Sequence, residues 1–309
     1  MKIIYIVGTG RNGSTIFDII LGNASNIQSC GEVYNAFYAW KKNKKCACSK
    51  PVTDCEFWQK VFLQYFNNNS EITIDEIIKL QKRFERKLYS PLLFFLHKRL
   101  KTKSYHTYLT SLKIFYEQIT KVSQKELLVD SSKNPFRGAA LLETFKEKVF
   151  FIHLVRDGRG QLMSWFRSGT IPPLNITIKN TKHEKIHWWA PVLYSFSWIF
   201  YNLLSGWIIR TSLNGYFRIQ YQDFVTSPDK YLVQIADFID EKLENLTLTS
   251  DGQSLLEIGH LVAGNRVRFQ NNLKLKSPDE RWRTQLKNSH QKVFWVFAGW
   301  LAKKYGYKF

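Results

Sequence analysis

Apolar and polar positions alternate along the chain in a pattern of short runs followed by longer helical stretches. The first run, Ile3–Val7 in "MKIIYIVGTGRNGSTIFDIILG", is apolar and rich in isoleucine and predicts a strand. A glycine-rich loop, Gly8–Gly13, follows, and a helical pattern runs from Ser14 to Gly22. The stretch "CGEVYNAFYAW" reads as a turn that sets one acid among apolar residues. From Lys41 to about Lys125 the pattern is mostly helical with polar breaks, which predicts a helical insertion or lid over 41–125. A second strand is expected at Leu127–Val129, closed by a polar turn, with Pro135 opening the next helix. A third, Val149–Val155, stops at Arg156 and leads into a helix that carries Ser164. A fourth, Phe217–Gln220, precedes Pro228 and an amphipathic helix. Strands that alternate with helices, over connections far longer than hairpins, predict an α/β fold: a parallel sheet covered on both faces.

The 309 residues suit one such domain spanning 1–309, and no internal repeat breaks it. One stretch, 190–209, runs twenty residues without a charge and is long enough to span a membrane. Pro191, Asn202, Gly206 and three serines favour a buried helix instead. Met1–Val7 is too short for a secretory leader, so a cytoplasmic protein is expected. The aromatic and basic end "KVFWVFAGWLAKKYGYKF" keeps peripheral contact with the inner membrane surface open. Nothing in the sequence sets an oligomeric state.

Charge changes the picture. A formal net charge of +20 calls for anionic company. No zinc-finger or RNP-type motif makes that company nucleic acid. Four cysteines, Cys30, Cys46, Cys48 and Cys55, crowd into the first fifth of the chain. Their spacing is open to a zinc site completed by Cys30, to two disulfides, or to free thiols; the plainer reading is a stapled loop or free thiols without metal.

In an open α/β sheet, ligands bind beyond the carboxyl ends of the strands. Arg11–Thr15, Asp130–Lys133 and Arg156–Arg159 therefore converge, and together they make a cationic, hydroxyl-rich anion site. Gly8 and Gly13 have the spacing of a nucleotide-binding P-loop, yet Ser14 stands where such loops place lysine.

The segments "GTGRNGST", "VDSSKNP" and "HLVRDGRGQLMSW", in that order, resemble the adenylyl-sulfate-dependent sulfotransferases, with likeness to the bacterial carbohydrate-type and tyrosylprotein-type branches. "RIQYQDF" and "GHLVAGNRVRF…DERWRTQL" add two further family-like stretches, whereas the helical region 41–125 matches poorly. The resemblance implies a P-loop-NTPase-like parallel β-sheet flanked by helices. It implies the donor 3′-phosphoadenosine 5′-phosphosulfate (PAPS), a hydroxyl-bearing acceptor such as a carbohydrate or glycolipid, and no metal. Carried over, Gly10, Arg11, Asn12, Gly13, Ser14 and Thr15 would hold the 5′-phosphosulfate. Arg156 and Ser164 would grip the 3′-phosphate, Tyr221 would lie near adenine, and Gly264, Asn265 and Arg266 would close over the 3′-phosphate. Glu32 would be the general base, its pKa raised by Val33, Tyr34 and Phe37. Lys133 and Arg11 would serve as catalytic cations on the leaving phosphate.

Other residues read more plainly. His153, inside an apolar strand, is expected in the core, and His260 in a structural hydrogen bond. His183 and His187, four apart, are expected to line the acceptor side or face solvent. Trp165, Trp188, Trp189 and Trp198 are placed near the acceptor. Two other classes stay open: a P-loop-like kinase or hydrolase using Asp130 for metal, and a non-catalytic binder of anionic glycan or lipid.

Overall fold

The alternation in the first strand sorts its side chains between two cores. In β1 (Lys2–Val7), Ile3, Tyr5 and Val7 enter one apolar cluster and Ile4 and Ile6 another. A strand buried on both faces belongs inside a parallel sheet. The computed structural model describes residues 1–85, 99–100, 102–171, 176–177, 189–246, 256–270 and 279–309. It places β1 at the centre of the order β2 (Ile27–Ser29), β3 (Leu127–Lys133), β1, β4 (Val149–Val155), β7 (Tyr216–Gln220), all parallel. Two-residue strands β5 (Thr170–Ile171) and β6 (Ile176–Thr177) pair separately. The chain leaves β1 toward opposite neighbours, β3 and β4, so the switch point of the sheet lies at the glycine loop.

One face is covered by α1 (Ser14–Gly22), α9 (Tyr221–Thr226) and α10 (Pro228–Ile239). The helical region covers the other. Trp58 and Phe62 of α3 (Glu56–Asn68) and Phe115 of α5 (Lys103–Ser123) share one apolar cluster with Tyr5, Val7 and Phe151 of the sheet. Between them runs α4 (Ile74–Glu85), and α6 (Pro135–Phe145) follows β3 with Pro135 in its first turn.

Two strands differ from expectation. β2 is three residues long, too short to show a period. β3 runs four residues past Val129, because its buried acid Asp130 is paired there. Asp130 accepts from the Ser132 and Val33 amides at 2.8 and 3.3 Å and from the Tyr116 hydroxyl. Arg137 of α6, fully buried, lies 3.7 Å from Asp130, and its Nη1 donates to Glu85 at 3.0 Å. Tyr108 donates to the same carboxylate at 2.6 Å.

The uncharged stretch forms α8 (Trp189–Ile209), with 56% of its most apolar window buried. It is the only helix among the described residues long and apolar enough to cross a membrane. It packs against β4, α6 and α12 (Asn288–Lys304). Asn202 on its buried side bonds His153 at 3.1 Å, and burial followed by Arg218 holds that imidazole down at about 3, as suits a core residue. Phe196, Phe200, Leu203 and Trp207 form an exposed stripe on the opposite side.

Removing Arg137 strands two carboxylates in the core. Arg137→Met is therefore expected to lose about 3–5 kcal/mol in urea unfolding, and a loss under about 1 kcal/mol would show the network to be dispensable. Asp18 of α1 gives a pH signature. It is fully buried, Ser29 donates to it at 2.6 Å, and burial pushes its carboxyl up to about 7 despite that bond. Because the folded pKa exceeds the unfolded one, the stability tied to the neutral acid is present below about pH 4 and lost as pH rises through about 7. Asp18→Asn should match wild type at about pH 4 and melt about 2–4 °C higher at about pH 8; equal curves at both pH values would contradict the assignment.

Candidate active site

The glycine loop after β1 is shaped by what presses on it. Gly13 has φ of 98°, and a Cβ there would lie 2.2 Å from the Tyr221 ring, so no other residue fits between loop and α9. Asn12 is fully buried and spends its side chain on the loop: Nδ2 donates to Leu154 O at 2.8 Å and Oδ1 accepts from the Ser14 amide at 3.2 Å. Gly10 packs against the Trp165 ring, and its carbonyl accepts from Gln161 Nε2 at 3.2 Å. Of the six loop residues expected to meet a phosphate, Asn12 thus turns its buried side chain to Leu154 and the Ser14 amide, while the hydroxyls of Ser14 and Thr15 face the cleft's other walls.

Those walls meet at Lys133. Its Nζ donates to Glu32 Oε1 at 2.7 Å, to Ser131 O at 2.8 Å and to Ser14 Oγ at 3.1 Å. One ammonium thus joins the ends of β3, the C-G-E turn and the first turn of α1. Glu32 is held from its other sides by Asn35 Nδ2, 2.9 Å from Oε2, and by its own amide, which donates to Ala263 O at 3.1 Å. Gly31, φ 72°, must be glycine here, since a Cβ would come within 2.4 Å of that carbonyl. The apolar surroundings expected for Glu32 are corrected accordingly. Its carboxylate faces an ammonium and an amide, because Val33 turns into the core and Tyr34 is tied through its amide to Ser132 Oγ at 2.8 Å.

Arg156 lines the second flank. Its Nη1 donates to Arg11 O at 3.1 Å, its plane lies over Tyr221 at 5.0 Å, and Nη2 stands 4.0 Å from Asp279. Arg11 stacks on Trp165 at 4.9 Å; burial lowers its pKa, Glu32 opposes that and Arg266 adds to it. Thr15 Oγ1 accepts from the Asn265 amide at 3.1 Å, which brings the Gly264–Arg266 loop onto α1. Asn265 caps the 3-10 turn Arg266–Phe269. Ser164, on α7 (Gly158–Ser168), is half-buried and has no hydrogen-bond partner among the described residues, so nothing joins it to Arg156.

Several residues of the site were not singled out from sequence. Arg268 donates to Gly264 O, and burial lowers its pKa against the pull of Glu32, which places a further guanidinium beside the carboxylate. Asp279 faces Arg156 and is held at about 2, chiefly by its hydrogen bond from Arg281. Gln161 ties Thr9 to α7. Their one signal was membership of the family-like stretches. Among the aromatic residues expected near an acceptor, Trp198 is instead packed in the core against Phe294 and Tyr305. Its helix turns it toward α12, away from solvent. Trp165 backs the loop, Trp189 is half-buried, and Trp188, His183 and His187 lie outside the described residues. The cysteines form no disulfide, and Cys30 stands apart from the other three.

A loop of backbone amides and hydroxyls ringed by Arg11, Lys133, Arg156, Arg266 and Arg268 is built for a multiply charged anion. A carboxylate within reach of an ammonium adds a group able to accept a proton. No curated protein matches the chain. Among solved structures, the sulfotransferase domain from the curacin biosynthetic pathway is similar at 16% identity and a TM-score of 0.57, over 99% of this chain and 98% of that one. The sulfotransferase domain from the Synechococcus PCC 7002 olefin synthase is similar at 15% identity and 0.52, over 99% and 95%. These show a shared fold. A sequence model described as the sulfotransferase family matches residues 4–245, most of the chain. The chain belongs to the sulfotransferase family, and it is a sulfotransferase enzyme.

Proposed function

We propose that the enzyme moves a sulfuryl group from PAPS to the hydroxyl of a carbohydrate, glycolipid or other small acceptor, with Glu32 as general base. The observation that carries this reading is the single Lys133 ammonium shared by Ser14 and Glu32, at 3.1 and 2.7 Å. It puts the cation needed by a leaving 5′-phosphate beside the base needed by an incoming hydroxyl. The donor set fits the group: a loop with positive φ at Gly8, Arg11 and Gly13, two hydroxyls opening α1, and a guanidinium over an aromatic ring at Arg156 and Tyr221. When bound, PAPS supplies a sulfuryl group whose bond to the 5′-phosphate oxygen breaks as the acceptor oxygen bonds sulfur. Glu32 takes the hydroxyl proton. Lys133 and Arg11 offset the charge that gathers on the leaving phosphate oxygen. Arg156 holds the 3′-phosphate, with Gly264–Arg266 closing over it. Such a transfer moves less charge than a γ-phosphoryl transfer and works without the Walker lysine and Mg²⁺.

The kinase reading loses its metal ligand. Asp130 is spent on Ser132, Val33, Tyr116 and Arg137. The helical region 41–125 is proposed to shape the acceptor pocket.

Saturating 3′,5′-adenosine bisphosphate should raise the Tm by several degrees, about 2.7 kcal/mol of linkage at a hundredfold excess over Kd. A shift with ATP and Mg²⁺ but none with the bisphosphate would overturn the donor assignment. Glu32→Gln should keep that shift and lose about 10²–10⁴-fold in turnover, measured with labelled donor on whichever of a panel of glycan, phenol and lipid acceptors is used. Near-normal turnover in Glu32→Gln would remove it as the base. Arg156→Ala should instead weaken nucleotide binding about tenfold to a hundredfold, read by calorimetry.

A further inference from the structure

The three cysteines of "CACSKPVTDC" have found a partner far away in the chain. Sulfur atoms of Cys46, Cys48 and Cys55 and a ring nitrogen of His260 all lie within 4.8 Å of one another. Cys55 Sγ is 3.3 Å from His260 Nδ1, across 205 positions of sequence. Four such donors around Zn²⁺, at about 2.3 Å for sulfur and about 2.0 Å for nitrogen, make a tetrahedron with edges of about 3.5–3.8 Å, which this cluster accommodates.

We propose that Cys46, Cys48, Cys55 and His260 bind a structural Zn²⁺ ion that staples the loop 44–55 to the segment leading into Gly264–Arg266. Three thiolates and an imidazole are a soft donor set that selects zinc over Mg²⁺ or Ca²⁺. Four protein ligands leave no open position, so the ion is structural rather than catalytic. The surroundings are those of a thiolate site. The backbone amides of Cys48, Lys50 and Trp58 face the sulfurs of Cys46, Cys48 and Cys55. His260 is aimed from both ends: its ring stacks on Phe57 at 5.5 Å, and its carbonyl accepts from Trp58 Nε1 at 2.5 Å. The loop itself is a tight knuckle, in which Cys46 N donates to Lys50 O and Ser49 N, at φ 69°, donates to Cys46 O, each at 2.9 Å. The Ala47 amide donates across to Leu261 O at 3.0 Å.

Cys30, the fourth ligand in the zinc alternative that the sequence left open beside the favoured metal-free reading, is excluded. Its sulfur faces Gln28 O at 3.6 Å in the core beside β3. The site has a mechanical role. In the segment after His260 the Val262 amide donates to Cys30 O and the Ala263 carbonyl accepts from the Glu32 amide, each at 3.1 Å, so the ion would fix the carbonyl against which Glu32 is set.

The metal can be tested without an acceptor and independently of the sulfuryl-transfer reading. Tag-free protein purified under reducing conditions should carry about one zinc per chain by mass spectrometry of the elements. Cys55→Ser and His260→Ala should each drop below about a tenth of that, while Cys30→Ser keeps it. Cobalt substitution should give the thiolate charge-transfer and d–d bands of a tetrahedral site. If the two variants fail to fold, wild-type stoichiometry and the cobalt spectrum still decide. A metal-free wild-type chain that takes up no zinc on titration would overturn the proposal, as would a disulfide among Cys46, Cys48 and Cys55, or loss of zinc in Cys30→Ser.

Discussion

Like charges gathered in one cleft repel, and that repulsion governs how this site is built. Arg11, Lys133, Arg156, Arg266 and Arg268 all approach the carboxyl end of the sheet, and two unit charges about 7 Å apart in a partly shielded setting oppose each other by about 2 kcal/mol. Arg11, Arg156 and Lys133 are therefore held by protein groups. Arg11 lies on Trp165, Arg156 lies on Tyr221 and on the Arg11 carbonyl, and Lys133 is anchored by Glu32 and the Ser131 carbonyl. With Glu32 and Asp279 the cleft has some negative charge of its own, though less than it can take. The cation that a nucleotide-binding P-loop carries inside its own helix comes here from the neighbouring strand.

That neighbouring strand depends on charge of another kind. β3 reaches Lys133 only because Asp130 continues it, and Asp130 is tolerated in the core only because Arg137 and Tyr116 meet it there. The Glu85–Arg137–Asp130 chain is weak as a source of stability, since its desolvation offsets most of its attraction. Its value is geometric. It ties α4, α5 and α6 to β3 at Asp130, and Lys133, where the strand ends, stands three residues further on.

The four longer strands of the sheet were legible because their signal is local. Val149–Val155 is six apolar residues interrupted only by His153, and the glycine loop announces itself at the end of β1. What could not be read depended on partners remote in sequence. The polar end of β3 looked like a turn because Arg137 and Tyr116 are invisible to a scan of 130–134. Glu32 looked apolar because its sequence neighbours are, whereas its spatial neighbour Lys133 is 101 positions away. Cys30 looked like a companion of Cys46 by proximity along the chain, yet His260 is the residue that reaches the cluster. Trp198 shows the same limit, since a ring reads alike whether it faces a ligand or a core.

Arg11 and Lys133 share one further property: both sit at left-handed φ, 66° and 65°. That region costs a residue with a side chain about 1–2 kcal/mol and costs glycine almost nothing. The backbone at these two positions thus asks for glycine while the cleft asks for charge. Selection for folding alone, whether in a drifting lineage or in a library sorted on heat resistance, pulls these positions toward glycine and erodes the site first. On the roles proposed for Arg11 and Lys133, activity and robustness are opposed at the same two residues.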